Sequence, residues 1–263
     1  MKKIFAFLTA LAMMLSLAAC SGESETSPSP SESVEPTPVS AGPSDEASVE
    51  PSAEPSPTIP GPDFEYGMGS ITGDNMDIYY PIFASEEYPD GAAAANEYFE
   101  SRALRVQEGF IADTEDMGAD EQYTVEQGYS VWYEHGAVAS VLVTVDKDYG
   151  GVHPGVEHTA TTVNFAEETL VTLADVLGGD ADAAKEIVLR EVLKQIPERK
   201  ELYEDAADAA EEHFAPENFY LSEDGLVVFY QVYDLGPYIA GAQFFTIPYE
   251  NIASELADWV VHE

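Results

Sequence analysis

Past residue 63 the chain alternates between two hydrophobic periods. The run Asp77-Ile78-Tyr79-Tyr80-Pro81-Ile82-Phe83 predicts a strand, with Pro81 marking an edge or a strand end because it cannot donate to a ladder. Asp90-Gly91 opens a helical stretch from Ala92 to about Ala112, where Ala95, Tyr98, Phe99, Ala103, Val106 and Phe110 recur at three and four. From Gln122 to Tyr133 the period falls to two, through Tyr123 and Val125 and then Tyr129, Val131 and Tyr133. Glu134-His135-Gly136 reads as a turn, and Ala137 to Val145 returns with Val141, Val143 and Val145 on one face, which predicts a β-hairpin.

A third strand is expected from about Glu157 to Phe165, after the turn Asp146 to Gly155. A short helical turn at Thr172 to Leu177 follows, then a helix from Asp180 to Gln195 closed by Pro197. A second, Ala- and Glu-rich helix is expected at Glu201 to Phe214. Strand signals occupy Asn218 to Leu221, Leu226 to Val232 and Gln243 to Ile247, with Glu223-Asp224-Gly225 turning between the first two. Asn251 to Val260 is expected to end as a helix. Hairpins grouped with interspersed helices define an α+β class: an antiparallel sheet of about six to seven strands packed with three to four helices in a single domain.

The domain so read spans 64–263, and the residues before it have a different character. Lys2 and Lys3 precede an apolar run from Ile4 to Leu17 that has the length of a signal-peptide core and is short for a membrane span. The run ends in Leu17-Ala18-Ala19-Cys20, which resembles a bacterial lipobox. That resemblance implies a lipoprotein signal peptide over 1–20, lipidation at Cys20, and anchoring to the outer face of the bacterial cell membrane. Residues 21–63 hold 10 Pro, 11 Ser and 9 Asp plus Glu, without Lys, Arg or an aromatic. Such a segment buries too little apolar area to offset its ordering entropy, so it is expected to be a disordered spacer of extended, polyproline-like character.

Charge narrows the functional classes. Fifty acidic residues against ten Lys plus Arg give a formal net charge of −40. Phosphate contacts need the opposite balance, so a nucleic-acid partner is not expected. The single Cys excludes an intrachain disulfide and a Cys-cluster zinc site.

Three motifs in order carry a family resemblance: Tyr149-Gly150-Gly151-Val152-His153-Pro154 before a strand, Phe219 to Tyr230, and Tyr233-Asp234-Leu235-Gly236-Pro237-Tyr238-Ile239-Ala240-Gly241 followed by Ile247-Pro248-Tyr249. Together they resemble the extracytoplasmic domain of RsiV-type anti-sigma factors, a module also found beside polysaccharide deacetylase domains, over most of residues 75 to 255. The resemblance implies an extracytoplasmic domain that binds lysozyme. No sigma-binding segment and no deacetylase motif accompany it, so neither activity carries over. Where the family has an Asn-Pro-Tyr-like step this chain reads Gln231-Val232-Tyr233.

Candidate chemistry is sparse. There is no Gly-x-Ser-x-Gly elbow, and Gly67 to Gly73 lacks the Lys of a phosphate loop. Asp146, Asp148, Gly151 and Glu157 match four positions of a calcium loop, but Gly150 stands where a ligand is needed and the flanks read as strands. No cofactor or metal is expected. Tyr230, Tyr233, Tyr238 and Tyr249 gather in the last third, among glycines and Pro237. Tyr149, His153, Pro154, Tyr233 and Tyr238 are therefore the candidate binding residues. The leading expectation is a non-enzymatic, lipid-anchored envelope domain that recognises a cationic protein such as a lysozyme-like muramidase. The alternatives are a peptidoglycan or wall-fragment binding module, and a hydrolase using His153.

Overall fold

The computed structural model describes residues 61–118 and 123–260. The signal segment, Cys20 and all but the last residues of the spacer lie outside them. The class is α+β, a single domain with nine strands and four helices among the described residues. The strands divide between two sheets. Six run in the order β1(Glu65–Gly73), β2(Met76–Ala84), β3(Thr124–His135), β4(Val138–Asp148), β5(Gly155–Asn164) and β6(Thr169–Val171); three more, β7(Phe219–Leu221), β8(Leu226–Tyr230) and β9(Gln243–Ile247), form the second sheet. The six-stranded sheet has the expected strand number, with one parallel contact where β2 meets β3 over three residues, and the three-stranded sheet is additional to it.

Alternation explains the stacking of these sheets. On β4, Ala139, Val141 and Val145 face α1(Pro89–Met117), which lays Ala95, Phe99, Ala103 and Phe110 on them. The opposite face offers Leu142, and Ala160 of β5, to Tyr220, Val227 and Phe229 of the second sheet. That sheet's other face, with Leu221, Val228 and Phe245, packs on α3(Ala181–Gln195) and α4(Ala206–Glu212). The layers therefore run helix, sheet, sheet, helix. Leu226-Val227-Val228-Phe229-Tyr230 is apolar throughout because β8 is buried on both faces.

One buried polar link joins the sheets. Ser140 and Thr162 share a hydroxyl hydrogen bond of 2.7 Å, and the Leu221 N–H donates to Ser140 Oγ at 3.0 Å. Side-chain amides serve strands where a neighbour is missing. Beyond Ile78 the β2–β3 pairing stops, and there Gln127 Nε2 donates to the Tyr79 carbonyl while Asn96 of α1 pairs with both the N–H and the carbonyl of Phe83. Pro81 falls in that stretch, where β2 is an edge towards β3, while its ladder with β1 continues through the Met68–Pro81 pair to Ala84.

Three expectations need correction. Trp132 is an extra residue in the β3–β4 ladder, which pairs Val131 with Val141 but Tyr133 with Ser140. This β-bulge moves Tyr133 off the face of Val131 and into the core beside α3. The helix expected from Glu201 starts only at Ala206, after a turn in which the Tyr203 N–H donates to the Leu235 carbonyl. The expected C-terminal helix is a 3-10 turn at Tyr249–Ile252 followed by irregular chain, in which the Ala257 N–H donates to Val176 of α2(Leu173–Val176).

Candidate functional site

Two loops meet at the far end of β4 and β5. The first, between those strands, turns where the Gly150 N–H donates to Asp148 Oδ1 at 2.8 Å and Gly150 adopts φ +70°. It carries Val152, His153 and Pro154. The second runs from Gln231 to Gly241 between β8 and β9. Its root is fixed by Gln231, whose amide accepts from the His158 N–H at 3.0 Å and donates to the His158 carbonyl at 2.7 Å. Leu235, wholly buried, anchors its middle, and Asp234 accepts the Gln231 N–H at 2.7 Å. Because Gln231 grips β5 only five residues after His153, the second loop is bound to arrive beside the first.

The rings complete the contact. His153 stacks on Tyr238 with centroids 3.5 Å apart and planes at 13°. The Tyr233 hydroxyl lies 3.0 Å from His153 Nε2, and the Tyr238 hydroxyl donates to the Pro154 carbonyl at 3.2 Å. Tyr233 is held at φ +76°, a conformation few non-glycine residues adopt, which marks strain at this surface. Four of the five candidate residues therefore converge. Tyr149 does not: its hydroxyl donates to Asp113 at 2.7 Å and its ring stacks on Phe110 under the end of α1. Burial, then that carboxylate, pushes its phenol well above the ordinary tyrosine range.

The tyrosine group of the last third divides. Tyr230 donates to the Ala210 carbonyl and Tyr249 to that of Ser222; both are core residues whose phenols burial pushes up. Tyr233 and Tyr238 remain at the surface. Two neighbours that sequence reasoning did not select enlarge the patch: Val152 is fully exposed and Ile239 is 92% exposed. An aliphatic residue between Gly151 and His153, with no strand period around it, was the available signal.

As a chemical device the cluster presents flat rings, two aliphatic tips and hydrogen-bonding groups. His153 Nε2 faces a phenol rather than a carboxylate. His158 is elsewhere, between the sheets, with its ring edge on Phe244 and Nδ1 at 3.0 Å from Thr144 Oγ1. Asp146 and Asp148 lie on β4 and Glu157 on β5; among the described residues no three His, Cys, Asp or Glu converge as a metal-holding group. No described helix is long and apolar enough to cross a membrane.

Comparison with known proteins gives a family match for part of the chain. Residues 174–250 match the family described as "Protein of unknown function (DUF3298)". A solved DUF3298 family protein from Pseudomonas aeruginosa PAO1 superposes with a TM-score of 0.52 at 14% identity, covering 76% of this chain and 95% of that one. A second, from Bacteroides fragilis NCTC 9343, gives 0.48 at 18% identity, covering 76% and 96%. No curated protein matches. The first likeness concerns the fold alone. The matched segment contains the second loop with Tyr233 and Tyr238, and lies C-terminal to His153.

Proposed function

We propose that this chain is a non-enzymatic binding domain held at the outer face of the cell membrane through a lipid on Cys20, and that it grips a basic protein such as a lysozyme-like muramidase. The observation that carries the reading is the stacked His153–Tyr238 pair with Tyr233 against it, flanked by exposed Val152 and Ile239. Buried aromatic anchors dominate stable interfaces, and a rigid ring cluster loses little entropy when covered. The net charge of −40 favours encounter with a cationic partner and makes the association rate fall as salt rises. The resemblance to RsiV-type extracytoplasmic domains supports the same class of partner.

The test is capture of hen-type lysozyme or another basic muramidase by the membrane-bound full chain at low salt, with Ile239→Asp and Tyr238→Ala as paired variants. Binding that both variants weaken at least tenfold supports the proposal. Recovery of no basic protein, together with co-sedimentation on purified wall, would assign the surface to a glycan instead.

A further inference from the structure

From residue 61 to residue 180 the chain holds 24 Asp and Glu but only three cations, Arg102, Arg105 and Lys147. All three line one cavity of about 210 Å³ between α1 and the six-stranded sheet. Its floor is apolar and aromatic, made by Tyr80, Phe99 and Val145. Neither arginine is neutralised: among the described residues the guanidinium of Arg102 contacts the Tyr98 hydroxyl at 3.3 Å and that of Arg105 the Ser101 hydroxyl at 3.3 Å, with no ion pair. Lys147 reaches Asp113 only at 4.0 Å. Glu157 is the one acidic residue in the lining.

We propose that this cavity is an anion site for a small organic oxyacid, a carboxylate or phosphate group carried on a compact apolar body. The argument is electrostatic and geometric. A randomly solvated surface on so acidic a domain would pair its few cations with the many carboxylates around them. Here two guanidinium groups three residues apart on α1 share a face of the helix, and Lys147 of β4 meets them from the sheet. Guanidinium forks match the two oxygens of a carboxylate or phosphate, and the cavity has room for a body of roughly ten heavy atoms or fewer, at about 20–30 Å³ each. The apolar floor would receive that body, so the site discriminates by both halves of the ligand. It is separate from the His153 surface and does not depend on what that surface binds.

Chemical-shift titration of the full chain at low salt with sodium benzoate, phenyl phosphate, inorganic phosphate and neutral benzamide tests this. Saturable shifts are expected at Lys147, Gln127 and Thr159 with both aromatic anions, and none with benzamide; inorganic phosphate, lacking the apolar body, binds more weakly. Arg102→Gln or Arg105→Gln each lowers benzoate affinity about tenfold, the loss of one charge-assisted pair. Glu157→Gln raises affinity about threefold by removing a like charge, a gain that misfolding cannot imitate. Lys200→Gln, away from the cavity, leaves it unchanged. A preference for phenyl phosphate over benzoate would assign the group as phosphate, and the reverse as carboxylate. The proposal is overturned if no anion gives a saturable shift, or if the double variant Arg102→Gln, Arg105→Gln binds benzoate as well as the parent chain.

Discussion

The imidazole of His153 and the phenol of Tyr238 lie face to face, 3.5 Å between centroids, across two loops that share no strand pairing. The stack stands at the surface, so its energetic worth in the free protein is small. Replacing His153 by Ala is expected to cost at most about 1 kcal/mol in urea unfolding, the range of an aromatic pair plus one exposed hydrogen bond. Partner capture in the same variant should fall at least tenfold. A large loss of stability with unchanged capture would make His153 a structural residue and remove it from the binding surface.

The link between the two sheets behaves in the opposite way. Ser140 is wholly buried and serves both Thr162 and the Leu221 N–H. Ser140→Ala leaves that N–H and the Thr162 hydroxyl without their partner in a dry interior. The expected cost is about 1–3 kcal/mol, measured as a shift of the urea midpoint at constant slope. Ser140→Thr keeps the hydroxyl but adds a methyl between close-packed sheets, so full rescue is not expected.

His158 gives the fold a pH dependence. Burial between the sheets pushes its pKa below the ordinary 6.5, against an opposing pull from Asp146. Once unfolded the imidazole takes up a proton near 6.5, whereas the folded protein resists doing so. Stability is therefore fully present above about 6.5 and falls as the pH drops through that value toward the lower folded pKa. Urea midpoints at pH 7.5 and 5.0 should differ, and His158→Asn should flatten that part of the profile. An unchanged slope in the variant would place the sensitivity on another group.

Much of this architecture was legible in the residues. The hairpin of β3 and β4, the helix α3 and the fully apolar β8 follow from period and length. What escaped was set by long-range contacts. Trp132 carries no local sign that the ladder skips it; its ring stacks on Tyr220 of β7, a partner far along the chain. Glycine-rich β1 has no strand pattern of its own and exists because β2 pairs with it residue for residue. The meeting of His153 with Tyr233 and Tyr238 was open in the sequence, because the residue that enforces it, Gln231, acts on a backbone 73 positions away.

Gln231 is thus where fold and binding surface can be separated by experiment. Its amide occupies the N–H and the carbonyl of His158 on the edge of β5 away from β4, where no strand of the sheet reaches, since β6 pairs β5 only from Thr162 to Asn164. Gln231→Leu keeps the size and removes both hydrogen bonds. The expected result is a loss of about 1–3 kcal/mol, from two backbone groups stripped of a partner, together with faster hydrogen exchange at the His158 amide. The second loop then loses its root, so capture of a basic partner should weaken as much as in His153→Ala, although no residue of the contact surface has changed. Gln231→Glu should recover the bond from the His158 N–H but not the one to its carbonyl, giving an intermediate effect on both. If Gln231→Leu lowers stability while capture stays intact, the loop is held by Leu235 alone and the positional role of Gln231 is wrong.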